Sequence, residues 1–163
     1  MRRTAVFALF AAGLALCACS QQSSTSTSGA TTPPPPPPTA EQAKAIIAAL
    51  PAPFNSGDYE AGKAAFTQCA ACHTTARGGP NMTGPNLYGI FGRKAGTAAD
   101  FAYSDPMKGA GWTWDAGRIN TWITKPQNVL PGTKMSFVGM PDPKDRINVI
   151  AYLKVVTSPP PAG

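Results

Sequence analysis

Cys69-Ala70-Ala71-Cys72-His73 is the stretch on which the reading of this chain turns. Two cysteines three apart, with a histidine directly after the second, form the C-x-x-C-H pattern that attaches c-type haem. The reason is geometric: two thiols meet the two vinyl groups of one haem, and the adjoining histidine is then placed to ligate its iron. Three other uses of the motif fit less well. A thioredoxin-like redox pair follows a strand in a βαβ unit, and no such pattern surrounds it. A zinc site needs a fourth ligand, and the globular part of the chain offers no other cysteine or histidine. A structural disulfide across three residues would leave the histidine idle. One covalent haem c is therefore the expected cofactor, with Cys69 and Cys72 forming its thioethers and His73 ligating its iron.

Composition narrows the alternatives. The chain has 163 residues, four cysteines and a single histidine. One imidazole excludes a His₂ or His₃ zinc site, a bis-His haem and a protein with two histidines per haem. A Ser-His-Asp triad would have to use the same His73. Lys and Arg number 14 against 8 Asp and Glu, a formal charge of +6. Removing the first 18 residues takes away Arg2 and Arg3 and leaves +4, too little to argue for nucleic acid. Such a mild excess suits an acidic protein partner.

The N-terminal part reads as targeting and tether. Met1-Arg2-Arg3 is a basic start and Ala5 to Leu16 an apolar run, with the length of a signal peptide rather than of a spanning helix. Leu16-Cys17-Ala18-Cys19 resembles a bacterial lipobox, which implies removal of residues 1–18 and lipidation of Cys19; ordinary cleavage nearby, or an uncleaved helix too short to anchor well, are the alternatives. Residues 19–40, rich in Ser, Thr and Gln and ending in the run Pro33 to Pro38, have no apolar periodicity and are expected to form a disordered tether. Residues 41–53 form a short helix or linker: Ile46, Ile47 and Leu50 give it an apolar face, and Pro51 and Pro53 stop it. Whether it docks or only spaces the tether, the pattern leaves open.

From residue 54 to residue 158 the composition is globular, with a short tail over 159–163. Asp58 to Gln68 is expected to be helical, with Ala61, Ala65 and Phe66 available for packing. Asp115 to Thr124 is a second helix. Asp142-Pro143-Lys144-Asp145 starts a third, with an acidic cap and a proline in its first turn, followed by Ile147, Ile150, Ala151 and Leu153 at helical spacing.

Beside the haem motif stand Thr83-Gly-Pro-Asn-Leu87, Phe91-Gly-Arg-Lys94, Trp114 and Pro131-Gly-Thr-Lys-Met135. In this order and spacing the chain resembles the class I cytochromes c, the mitochondrial type and its bacterial relatives, from about Gly57 to Thr157. The resemblance implies an all-α fold, about four to five helices around one covalently attached haem. It also implies Met135 as the sixth iron ligand, a soft thioether that favours ferrous iron. Met82, Met107 and Met140 are then packing residues. Pro85 would offer its carbonyl to His73, and Arg93, Tyr103, Trp114 and Thr133 match positions that hold the haem propionates. Two positions depart from the mitochondrial pattern: Trp122 replaces a tyrosine that often bonds the methionine sulfur, and Met107 replaces an asparagine. The first and last helices of the family cross, which suggests Phe66 packing near Tyr152.

The activity so implied is one-electron carriage in a respiratory or photosynthetic chain, on the periplasmic side of a bacterial membrane, by a monomer that is not an enzyme. Partners would be a quinol:cytochrome c reductase or a dehydrogenase as donor, and a terminal oxidase or photosynthetic reaction centre as acceptor. Lys125 and Lys134 would face acidic partners, with Lys108 and Arg77 as further cations. A haem peroxidase or gas sensor, in which Met135 leaves the iron, is the alternative.

Overall fold

A computed structural model describes residues 37–158. The leader, Cys19, most of the Ser/Thr/Pro-rich segment and the tail from residue 159 lie outside the described residues. Seven α-helical segments follow one another: α1 (Ala40–Ala48), α2 (Tyr59–Ala65), α3 (Thr67–Ala70), α4 (Asp105–Lys108), α5 (Ala116–Thr124), α6 (Pro126–Val129) and α7 (Pro143–Thr157), with a 3₁₀ turn at Phe54–Ser56. No strand forms among the described residues beyond an isolated bridge between Lys94 and Thr113. The helix count exceeds the four to five expected because α3, α4 and α6 are single turns of four residues. Such turns leave too short a periodic pattern to be read.

Helix starts follow side-chain chemistry. Asp58, Asp115 and Asp142 each cap a helix, their carboxylates accepting from the backbone N–H of Ala61, Arg118 and Lys144. Thr39 and Gln42 form a reciprocal capping box on α1. The single helix expected over Asp58 to Gln68 is divided. Thr67 Oγ1 donates to the Ala64 carbonyl (2.8 Å) and Cys69 N–H turns tightly onto Phe66 O (2.8 Å), so the chain breaks at Phe66 and restarts as α3. Proline shapes the next junction: α5 ends at Thr124, and Pro126 opens α6.

The frame of the molecule is the crossing of α2 with α7. Ala61, expected to pack, is exposed, and Gly62 takes the buried position instead. The helices approach so closely that a Cβ at Gly62 would overlap the Asn148 carbonyl oxygen and lie 2.8 Å from Tyr152 Cβ. Phe66 stacks against Tyr152 at 5.2 Å between ring centroids, as the expected crossing requires. Asn148 is buried at the crossing, its carboxamide oxygen accepting from Asp58 N–H (2.9 Å).

Helix α1 docks. Ala43 and Ile47 join Ala151 and Val155 of α7 in a small apolar cluster flanked by Ile46 and Tyr59, while Leu50 joins the main core. Two residues further along a helix is about 200° of rotation. Ala151 and Val155 therefore face away from Val149 and Leu153, which line the central cavity.

Candidate haem site

The cavity at the centre of the fold has about 1300 Å³ of empty space including its open mouth. Cys69, Cys72 and His73 line it, as do Pro85, Arg93, Tyr103, Trp114, Thr133, Lys134 and Met135. Lys125, exposed just after α5, stands off the wall, as do Lys108 and Arg77, while Cys19 lies outside the described residues.

α3 and the turn after it carry the cysteines and the histidine. Burial, aided by the neighbouring Cys72, pushes the Cys69 thiol up to about 11, so it stays protonated at neutral pH. A dithiol oxidoreductase needs the opposite, a lowered thiol pKa. His73 Nδ1–H donates to the Pro85 carbonyl at 2.7 Å, which leaves Nε2 as the ligand nitrogen. Burial lowers the His73 pKa, with the Pro85 bond acting in the opposite direction, and favours the neutral imidazole that binds metal. Gly84 backs the ring: a Cβ there would overlap Cε1 and lie 2.7 Å from Nδ1.

On the methionine side, the Trp122 indole N–H donates to Met135 Sδ at 3.1 Å. The tryptophan that departs from the mitochondrial pattern thus still supplies a donor to this sulfur. Met135 is held at two further atoms. Its N–H donates to Thr133 Oγ1 (3.3 Å), and Gln127 Nε2 donates to the carbonyls of both Thr133 (3.0 Å) and Met135 (2.9 Å). Of the other methionines, Met107 is buried against the cavity, Met140 is buried outside it and Met82 is exposed. Trp112, Trp114 and Trp122 pack together with centroid separations of 5.6–6.5 Å, and the Arg118 guanidinium lies over Trp112. Trp114 and Trp122 of this group line the cavity.

The polar end of the cavity is built from loops. Arg93 donates to Asn86 O (3.1 Å) and Tyr88 O (3.2 Å), while Trp114 is tied to the same loop through its backbone N–H and Arg93 O (2.9 Å). Burial lowers the Arg93 pKa and raises that of Tyr103; attraction between the two opposes both shifts. Beside them, Ser104 Oγ is buried with no hydrogen-bond partner, and Ser104 lines the cavity. A donor left without an acceptor at a buried site calls for one. Arg93, Tyr103 and Ser104 together suit a carboxylate of a bound group.

Two residues here escaped the sequence reading. Ser104 is a common residue whose role lies only in its burial. Gln127 is an exposed side chain on a single-turn helix, and nothing in its neighbourhood marks it.

The donor set fits a haem: two cysteines and a histidine on one stretch, a thioether held in the same cavity, and an unpaired hydroxyl and an arginine among the residues that line it. Comparison with known proteins agrees. The sequence model of the family described as Cytochrome c matches residues 59–157. Cytochrome c2 of Rhodoblastus acidophilus is 50% identical over 98 residues, covering 60% of this chain and 92% of its own. Cytochrome c of Chlamydomonas reinhardtii is 44% identical over 104 residues, covering 63% of this chain and 93% of its own. Among solved structures, cytochrome cH from Methylobacterium extorquens superposes with a TM-score of 0.57 at 45% identity, covering 60% of this chain and 98% of that one. The chain belongs to the cytochrome c family, an electron carrier rather than an enzyme, built to hold one covalent haem c.

Proposed function

We propose that the haem iron of this carrier is ligated by His73 and Met135, and that it works on the periplasmic side of a bacterial membrane, tethered there through Cys19. The observation that carries the ligand assignment is the pair of anchors in one cavity: His73 Nδ1–H on Pro85 O, and Trp122 N–H on Met135 Sδ. Bound there, the haem supplies a single electron store that alternates between ferric and ferrous. The chain's own residues do the rest. Cys69 and Cys72 hold the group covalently, His73 presents a neutral nitrogen, and the Trp122 and Gln127 bonds fix the methionine loop. Arg93, Tyr103, Ser104, Trp114 and Thr133 receive the propionates and keep their charge from being left unpaired in an apolar site. With His73 and Met135 both holding the haem iron, oxygen and peroxide would be kept from it, as a carrier rather than a peroxidase or sensor requires.

Ferric holoprotein should therefore show the long-wavelength absorption band of methionine ligation. Met135→Leu should abolish it and Met107→Leu should keep it. Carbon monoxide binding to the native ferrous protein would overturn the assignment. The donor is a quinol:cytochrome c reductase or dehydrogenase, and the acceptor a terminal oxidase or reaction centre, reached through the cavity mouth where Lys134 stands. Lys125, exposed just after α5, is a further cation that would face an acidic partner. If Cys19 carries the lipid, Cys19→Ala moves the protein from the membrane to the soluble fraction; continued membrane association refutes lipidation.

A further inference from the structure

All three tryptophans of the chain pack into one cluster. Trp114 and Trp122 are buried and line the cavity, whereas Trp112 is half-buried and does not line it. Ring centroids lie 5.6 Å apart for Trp114 and Trp122, 5.8 Å for Trp112 and Trp114, and 6.5 Å for Trp112 and Trp122. Aromatic contact therefore runs unbroken from the half-buried Trp112 to Trp122, whose N–H donates to Met135 Sδ. Filling a core asks only for apolar bulk. Indole is also among the side chains that give up an electron most readily.

Two details bear on what such a cluster can carry. An indole that loses an electron becomes acidic at its N–H, and losing that proton as well would trap the hole as a neutral radical. Trp112 Nε1 is buried with no hydrogen-bond partner, and the Trp122 N–H meets only a thioether, a weak acceptor that does not take a proton. Both protons stay, and the hole is free to move. The Arg118 guanidinium lies 4.9 Å over the Trp112 ring centroid, and no carboxylate pairs with it among the described residues. A cation attracts the neutral ring but opposes a positive hole on it. A hole formed at Trp112 is therefore driven inward, toward Trp122.

We infer that Trp112, Trp114 and Trp122 form a second electron route, by which the ferrous carrier reduces small oxidising radicals that strike the Trp112 edge. The inference rests on the proposed Met135 ligation, which joins Trp122 to the iron. One electron moves at each step. The radical takes an electron from Trp112 and is reduced. Trp112 is refilled from Trp122, directly or through Trp114, and Trp122 is refilled from the ferrous haem, which ends ferric. No bond forms or breaks and no proton moves. The carrier's ordinary donor then restores the ferrous state. Redox partners too weak to oxidise an indole leave this route silent.

The test places an oxidant at that edge. A ruthenium photosensitiser is coupled to the thiol introduced by Thr113→Cys, an exposed position next to Trp112, in holoprotein that also carries Cys17→Ala and Cys19→Ala. A flash with an electron scavenger leaves the ruthenium oxidised, and ferric haem is followed by absorbance. It should appear in a fast phase. Peptide mass spectrometry should find Trp112 spared in ferrous protein and oxidised in ferric protein, which has no electron to give. Trp112→Phe and Trp122→Phe should each lose the fast phase, and Trp122→Phe should leave Trp112 oxidised in ferrous protein as well. Tyr103→Phe, which removes an oxidisable ring that lines the cavity outside the cluster, should change neither result. A fast phase that survives Trp112→Phe, or equal Trp112 oxidation in ferrous and ferric protein, overturns the route. If Trp122→Phe fails to hold haem, the half-buried Trp112→Phe carries the test alone. The long-wavelength band of methionine ligation is recorded first on each ferric protein. With the band present, a missing fast phase in the labelled parent counts against the route alone; with it absent from that parent, the ligand reading falls and the route falls with it.

Discussion

Replacing Trp122 by Phe tests how the methionine side of the cavity is held. The substitution keeps an aromatic ring against Trp114, now 5.6 Å away between centroids, and deletes the one donor to Met135 Sδ. A typical hydrogen bond contributes about 0.5–1.5 kcal/mol net, and a thioether is a weak acceptor, so about 1 kcal/mol is expected here. Met135 remains fixed at its N–H and carbonyl through Thr133 and Gln127, so the loop should stay folded and only the sulfur is freed. Added imidazole competes with that sulfur for the iron. Weakening the sulfur by about 1 kcal/mol raises the apparent imidazole affinity of the ferric protein about fivefold, with about two- to twelvefold spanning the range. Absorbance titration measures it directly. Gln127→Ala is the companion variant, since it loosens the loop carbonyls without touching the sulfur bond. An unchanged or weaker imidazole affinity in Trp122→Phe would refute the role given to the indole.

Other outcomes follow from the same contacts. Gly62→Ala forces a methyl into the Asn148 carbonyl, which is backbone and cannot swing aside; overpacking of this kind costs about 1–3 kcal/mol or more, and the unfolding midpoint of the holoprotein should fall accordingly. Gly117→Ala, on α5 with no neighbour closer than Asp115 Oδ1 at 3.4 Å, should instead stabilise by about 0.4–1 kcal/mol in the same denaturant titration. Ser104→Ala should destabilise holoprotein by about 0.5–1.5 kcal/mol while leaving the haem-free chain unaffected, because the hydroxyl has no partner of its own; equal effects on both would show that it does not meet the haem. Burial, reinforced by Tyr59 and Glu60, raises the Tyr152 pKa. The fold thus favours the protonated phenol: this stability is fully present below about pH 10 and is lost as pH rises through the raised value. Unfolding midpoints followed from pH 8 to 11 should fall at the alkaline end, less steeply in Tyr152→Phe.

What could be read from the sequence was what short segments encode by themselves. Asp58, Asp115 and Asp142 announce helices because a cap acts within three residues. Cys69, Cys72 and His73 announce a haem because attachment chemistry needs them contiguous. Pro85, Arg93, Tyr103, Trp114 and Met135 were found through resemblance, and they meet at one cavity although no pairwise spacing predicts it. Contacts that depend on which helix arrives from elsewhere were not legible. Ala61 and Gly62 are equally plausible packing residues until α7 crosses α2, at a separation that only glycine permits. Ser104 acquires meaning from burial and Gln127 from reaching two carbonyls six and eight residues away. The docking of α1 was undecidable for the same reason, since its partner surface is on the last helix.

That docking has a mechanical consequence. Nine residues are too few for a helix to persist alone in water, so α1 holds its shape only while Ala43 and Ile47 grip α7. A pull applied through the chain before Ala40 would load this small patch first and peel α1 away as a separate unit. Val149 and Leu153 point to the cavity from the opposite side of α7, one layer removed from that patch. The segment would lengthen under tension while the cavity kept its form, so α1 serves the domain as a fuse.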